Sequence, residues 1–194
     1  MVRKESFYAL SHGTDKDTAK KIIEEGFLID GDTTSWCGEG IYFYDIKAKA
    51  WWAAERKCAE KRNIDGKKVK PAIILVDIDN IDIKDIFDLR VKRDLEEFEK
   101  FTRTFIDEKS HMTVSDVDDE VERKIVLRSL LIAFYARKKG SKLVVGNFRQ
   151  RPQPLYEHAI EFANSLDMVF GIETIYCVKN PAIISNIRIG GNEQ

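Results

Sequence analysis

The chain has 194 residues, of which 32 are basic and 33 acidic, so its net charge is −1. This balance provides no overall field for nucleic acid or an anionic surface, and the length predicts a single domain over residues 1–194. Three cysteines, Cys37, Cys58 and Cys177, lie far apart, which argues against a disulfide framework or a zinc site.

The sequence contains no pattern typical of a membrane segment. Residues 1–10 lack the apolar core of a signal peptide. The longest apolar run, residues 130–136, is far shorter than the roughly 20 residues that span a bilayer. We therefore expect a soluble, cytoplasmic protein that uses no membrane partner.

Strands and helices alternate through the first eighty residues. Residues 7–12 predict a strand, and Thr14 followed by Asp17 predicts a capping box that opens a helix. Gly26 ends that helix. The next predicted elements are a strand at 40–44, a helix at 47–62 and a strand at 71–79.

The pattern changes after residue 91, where charged and apolar residues recur at helical spacing. Two long helices are predicted between residues 91 and 139, and together they form a helical insertion. The remaining predicted elements are a strand at 142–148, a helix at 155–166 and closing strands at 168–178 and 183–189.

Three short strings carry the functional signal. They are SHGT at residues 11–14, GEGIYF at 38–43 and GIETIY at 171–176. Their order, with His12, Tyr42 and Glu173 each in a predicted strand, resembles the ADP-ribosyltransferase superfamily of the His-Tyr-Glu type. The first half is similar to the catalytic domain of poly(ADP-ribose) polymerases. The resemblance covers about residues 8–54 and 168–189.

This resemblance implies a fold and an activity. The expected fold is α+β, with two small, mostly antiparallel sheets around an NAD cleft and helices outside. The expected enzyme cleaves NAD, its co-substrate, without a metal and transfers ADP-ribose to a macromolecular acceptor. The lack of accompanying domains resembles microbial or phage-associated enzymes, such as a toxin or a defence factor.

Glu173 is the candidate catalytic carboxylate. Departure of nicotinamide leaves positive charge on the ribose, which a nearby carboxylate stabilises. The ordinary interpretation is a solvated strand glutamate, but the predicted strand around it is apolar on both faces, where an unpaired carboxylate is costly. Gly171, two residues earlier, leaves room for a ligand.

The resemblance assigns NAD contacts to the other two strings. His12 would bind ribose hydroxyls and the backbone of Gly13, next to Thr14, would hold the nicotinamide carboxamide. Tyr42 would stack on nicotinamide, with Gly40 allowing close approach. The alternatives are an ordinary core tyrosine and a core histidine with its hydrogen bonds satisfied.

The chain departs from the polymerase pattern at two positions. Ala50 and Ala53 stand where that family has a serine and a second stacking tyrosine, so Trp52 or Trp51 would supply the second aromatic face. Arginine-specific enzymes have Gln or Glu where this chain has Gly171, which disfavours arginine as the acceptor.

A local basic cluster suggests RNA or DNA as acceptor. Six basic residues fall within fifteen positions without an acid: Arg137, Lys138, Lys139, Lys142, Arg149 and Arg151. They could follow a phosphate backbone with Phe148 as a stacking surface. The alternative is a solvated helix end, because basic residues are favourable at helix C-termini.

Other functions stay open at this point. Water as the acceptor would give an NAD glycohydrolase. An RNA 2′-phosphotransferase is disfavoured, because basic residues do not flank the His12 and Tyr42 strings. A non-catalytic module of this fold would only bind NAD or a partner, and the helical insertion could hold an inhibitor or antitoxin protein.

Overall fold

A computed structural model describes residues 3–29, 35–66, 68–108, 120–149 and 172–191. Within these ranges seven strands, four α-helices and two single 3₁₀ turns are formed. In chain order they are β1 (Lys4–Asp15), α1 (Lys16–Glu25), β2 (Ile41–Tyr44), α2 (Lys47–Asp65), β3 (Pro71–Asp82), a 3₁₀ turn (Ile83–Asp85), β4 (Ile86–Asp88), α3 (Lys92–Glu108), α4 (Glu120–Lys139), β5 (Leu143–Arg149), β6 (Ile172–Val178), a 3₁₀ turn (Pro181–Ile183) and β7 (Ile184–Gly190).

Most predicted elements are present with shifted ends. The two helices expected between residues 91 and 139 are α3 and α4. Strand β4, only three residues long, was not predicted. The helix predicted at 155–166 lies outside the described residues. In the part of the chain that the structure describes, no helix combines the length and the apolar character needed to cross a membrane.

The strands form one mixed sheet in the order β4-β5-β6-β2-β1-β3-β7. Only β4 and β5 pair in parallel, and the other neighbours are antiparallel. The prediction of two separate sheets is therefore wrong. A pairing between Ser11 of β1 and Tyr44 of β2 joins what would otherwise be two sheets.

Both faces of the sheet are covered. On one face, α1 packs Ala19 and Ile22 over a core that includes Phe43 and Ile74. On the other face, α4 packs Ile132 and other side chains against Phe87, Ile175 and Cys177. Because they are covered on both sides, β2 and the first half of β3 read as nearly continuous apolar runs in the sequence.

Helix α1 begins one residue later than its sequence suggests. The capping side chain is Asp15, not Thr14, and its Oδ1 accepts hydrogen bonds from the backbone N–H groups of Asp17 at 3.1 Å and Thr18 at 3.0 Å. Asp15 also forms an ion pair with Lys61 of α2. The predicted end at Gly26 is confirmed, since its N–H donates to Ile22 O at 2.9 Å.

Replacing Asp15 should destabilise the protein in a pH-dependent way. Asp15→Ala removes the cap and the partner of Lys61, so we expect a loss of about 1–2 kcal/mol in the free energy of unfolding at pH 7. Lys61 and the hydrogen bonds from Thr18 hold the pKa of Asp15 well below its usual value, despite the opposing effect of burial. The contribution is therefore present above about pH 4 and is lost as the pH falls through the lowered pKa.

Urea unfolding at pH 7 and pH 3 measures this effect. Asp17→Ala, an exposed acid in the same helical turn, is the matched control. An equal loss for both variants, or a loss for Asp15→Ala that does not shrink at low pH, would contradict the assignment.

Candidate active site

The three strings found in the sequence meet at the centre of the sheet. Glu173 lies on β6, Tyr42 on β2, and His12 and Gly13 on β1. These strands are consecutive neighbours in the order β6-β2-β1. The fold therefore brings together segments that are far apart in the chain.

The side chains of the three motif residues do not all share one face. Tyr42 pairs with Cys177 in register, so Tyr42, Cys177 and Glu173 lie on the same side by the two-residue period. His12 lies on the opposite side. Its ring packs edge-on against Phe27, with 5.3 Å between centroids, and lies 5.7 Å from that of Phe43.

The pairing between β1 and β2 is short, and we call this boundary the β1/β2 seam (residues 11–13 facing residues 42–44). Among the described residues, Ser11 and Tyr44 are the one register pair of these strands. Two side chains support it: Ser11 Oγ donates to Tyr44 O at 2.9 Å, and His12 Nδ1 lies 2.8 Å from Tyr42 O.

The seam leaves the backbone of Gly13 facing β2. Lys16 N–H donates to Lys70 O of the neighbouring chain segment at 2.9 Å. Because backbone groups alternate in direction along a strand, those of His12 and Thr14 also point towards β3, and those of Gly13 point the other way. Tyr42 O, the carbonyl opposite Gly13, is hydrogen-bonded to the His12 side chain and not to the Gly13 backbone.

His12 is neutral at physiological pH. Burial lowers its pKa to about 4, assisted by the charge of Lys57 and opposed by the hydrogen bond to Tyr42. A carbonyl only accepts hydrogen bonds, so Nδ1 carries the proton and donates to Tyr42 O. Nε2 is then an acceptor suited to a hydroxyl group.

Gly13 has a packing role in addition to any ligand role. A Cβ at this position would lie 1.9 Å from Ala50 O and 2.7 Å from Ala54 N. Helix α2 therefore crosses β1 directly over this glycine. Ala50, where the polymerase family has a serine, is fully buried in the same contact.

The Tyr42 hydroxyl is committed to the loop that precedes β2. It donates to Gly38 O and accepts from Cys37 N–H at 3.0 Å, and burial raises the Tyr42 pKa. Gly40 is also explained by packing, since a Cβ there would lie 2.5 Å from Cys177 Sγ. The space beside Gly40 is therefore filled by protein.

Glu173 is buried, with 8% of its surface exposed, as its apolar strand suggests. Its carboxylate forms an ion pair with Lys49, which lies in the first turn of α2 and has 42% of its side chain exposed. The sequence reasoning missed Lys49, because no local pattern links it to β6. Gly171 lies outside the described residues.

The other predicted NAD contacts are dispersed. Trp52 is half-exposed on α2 with the Arg56 guanidinium 5.8 Å from its ring centroid. Trp51 donates to Glu55 at 3.0 Å. No ring contact joins either tryptophan to Tyr42 in the described ranges, and Thr14 is fully buried.

The predicted acceptor cluster is partly neutralised. Lys139 pairs with Asp94 at 2.9 Å and Lys142 with Asp85 at 2.7 Å. Arg137 and Lys138 are exposed, whereas the side chain of Arg149 and the whole of Arg151 lie outside the described residues. The prediction that Phe148 offers a stacking surface is wrong, because Phe148 is buried against Trp36 with 5.2 Å between ring centroids.

A second feature on the Tyr42 side of the sheet was not predicted. Arg128 of α4 places its guanidinium carbon 4.3 Å from the Trp36 ring centroid and 5.5 Å from that of Phe148. Phe148 is the register partner of Glu173. An aromatic and cationic group therefore adjoins the strand that carries the candidate carboxylate.

A cavity of about 330 Å³ lies elsewhere, lined by Asp79, Asp82, Asp85 and Lys142 among others, and no motif residue borders it. The described residues contain no group of three or more His, Cys, Asp or Glu placed to hold a metal ion. Comparison of the chain with protein families, with curated proteins and with solved structures found no match.

Gly13→Ala should destabilise the fold by more than about 2 kcal/mol, because its Cβ meets backbone atoms of α2 that cannot move independently. Gly191→Ala is the control, since no atom lies within 4 Å of the added Cβ, and it should change stability by less than about 0.5 kcal/mol. Thermal and urea unfolding measure both. Similar stabilities of the two variants would disprove the close helix crossing.

His12 should make the stability depend on pH between about 4 and 6.5. In that window the unfolded chain binds a proton at His12 that the folded protein excludes, so the free energy of unfolding falls as the pH is lowered. His12→Gln cannot titrate and should remove this component. Urea unfolding of both proteins in steps from pH 7.5 to pH 4.5 measures the difference, and parallel curves would show that His12 titrates normally.

Proposed function

We propose that this chain is an NAD-dependent ADP-ribosyltransferase that transfers ADP-ribose to a macromolecular acceptor. The observation that carries the proposal is the placement of His12 and Gly13 on β1, Tyr42 on β2 and Glu173 on β6, three adjacent strands of one sheet. No local rule forces these segments onto neighbouring strands, and this placement supports one site, with the His12 ring on one face of the sheet and Tyr42 and Glu173 on the other.

The seam suits a carboxamide. The N–H and C=O of Gly13 point towards β2, and a primary amide can accept from one and donate to the other. Nicotinamide held in this way would lie near the strand that carries Tyr42. The neutral imidazole of His12 would offer Nε2 as an acceptor to a ribose hydroxyl.

Glu173 would stabilise the ribose as nicotinamide leaves. Lys49 pairs with this buried carboxylate. The carboxylate would then accept a hydrogen bond from the ribose 2′-hydroxyl and face the positive charge that develops on the sugar. Lys49 is half-exposed, so it can turn towards solvent or substrate when the ribose arrives.

The exposed basic residues indicate which acceptor class to test first. Ion pairs with Asp94 and Asp85 neutralise Lys139 and Lys142 and so reduce the net positive charge of the basic cluster. Among the described residues of the cluster, Arg137 and Lys138 are exposed. RNA or DNA remains the acceptor class that these two residues favour. Action as a toxin or defence factor would follow from modification of such an acceptor.

Glu173→Gln should lower nicotinamide release from NAD by about 100-fold or more, because it removes the charge that stabilises the transition state while nearly preserving shape. NAD affinity should change little. Glu96→Gln, which alters an exposed carboxylate of α3, is the matched control and should keep full turnover. Release of nicotinamide by Glu173→Gln at the wild-type rate would disprove the catalytic assignment.

Labelling the adenosine half of NAD then identifies the acceptor. Label on RNA or DNA supports the nucleic-acid acceptor, and label on protein alone excludes it. Label found only in free ADP-ribose would identify a glycohydrolase. If no nicotinamide were released under any condition, the chain would not be an enzyme of this class, and the non-catalytic binding module would be the better explanation.

A further inference from the structure

Arg128 is unusual among the charged side chains of this structure. It is partly buried, and its Nε is buried without a hydrogen-bond partner among the described residues. No carboxylate pairs with it in those ranges. Its guanidinium instead stacks over Trp36, 4.3 Å from the ring centroid, beside Phe148.

Buried acids elsewhere in the structure have cationic partners. Glu173 pairs with Lys49, Asp94 with Lys139 and Asp15 with Lys61. A guanidinium stays charged under physiological conditions, and burying part of it without a counter-ion is costly. Stacking on aromatic rings offsets part of this cost, but the buried Nε of Arg128 has no hydrogen-bond partner among the described residues. Arg128 is therefore a partly buried cation that has no counter-ion among the described residues and could bind an anion.

The position of Arg128 connects this unused charge to the candidate active site. Phe148, one of the two rings beside it, pairs in register with Glu173. Trp36, the other ring, precedes Cys37, whose N–H donates to the Tyr42 hydroxyl at 3.0 Å. An anion on Arg128 would thus lie beside the strands that carry Tyr42 and Glu173.

We propose that Arg128 binds a phosphate group of a nucleotide ligand. The planar guanidinium can form two parallel hydrogen bonds to phosphate oxygens, and stacking on Trp36 restricts its orientation beforehand. The phosphate can come from the pyrophosphate of the dinucleotide or from the backbone of a nucleic-acid acceptor. This inference rests on the proposed function for the identity of the ligand, but phosphate binding itself requires no turnover.

Trp36 provides a direct readout. An anion that engages Arg128 changes the environment of the stacked indole, so titration with sodium pyrophosphate, ADP-ribose or a 5′-phosphorylated trinucleotide should change tryptophan fluorescence in a saturable way. Trp36→Phe should remove most of that change. Binding should weaken as salt is added.

Three variants test the role of Arg128. Arg128→Gln should weaken binding of the preferred probe at least about tenfold, since a charge-assisted contact is lost. Arg128→Lys should retain part of the affinity, because it keeps the charge but not the planar fork. Arg103→Gln, an exposed arginine of α3 that pairs with Glu99, should bind as the wild type does. Isothermal titration calorimetry and melting temperatures of all variants separate lost binding from lost folding.

The probes distinguish the two sources of phosphate. Arg128-dependent binding of pyrophosphate and ADP-ribose supports the dinucleotide, and Arg128-dependent binding of the trinucleotide alone supports the acceptor. Equal affinity of folded Arg128→Gln and wild type for all three probes, or no saturable binding by wild type, overturns the inference. Arg128-dependent binding without any NAD cleavage would instead refute the proposed function and leave this inference standing.

Discussion

The seam between β1 and β2 is the constraint on which the rest of the structure depends. One register pair, Ser11 with Tyr44, joins the half that contains β4, β5, β6 and β2 to the half that contains β1, β3 and β7. The side chains of Ser11 and His12 complete the junction by binding carbonyls of β2. A full ladder here would have used the Gly13 backbone for pairing. The incomplete ladder leaves the place where we propose that the carboxamide of the ligand binds.

Helix α2 connects this junction to the buried carboxylate. Its close approach to β1 requires a glycine at position 13, because any Cβ would overlap Ala50 O. That crossing fixes the position of the first turn of α2. Lys49 lies in this turn and forms the ion pair with Glu173 of β6. The absence of a side chain at Gly13 therefore allows the close packing of α2 on β1. Through the position of α2, it also places Lys49 beside Glu173, two strands away in the sheet.

The elements were more predictable from the sequence than their assembly. Apolar spacing and Gly26 located α1, and the apolar strand around Glu173 indicated a buried carboxylate, because both signals are local. The joined sheet and the Lys49 partner were not predictable, since each depends on contacts between distant segments. The Asp15 cap was missed for a similar reason. Thr14 fits the local capping pattern as well, and Lys61 from α2 favours the aspartate.

Charge pairing distinguishes two ionisable groups on the Tyr42 side of the sheet. The buried carboxylate of Glu173 is paired with Lys49. Arg128, next to the register partner of Glu173, has no such match among the described residues. In the function that we propose, Glu173 would face the ribose, on which positive charge develops as nicotinamide leaves, and Arg128 would bind a phosphate. We therefore propose one ligand for both groups, since a dinucleotide carries the sugar and the phosphates in one molecule.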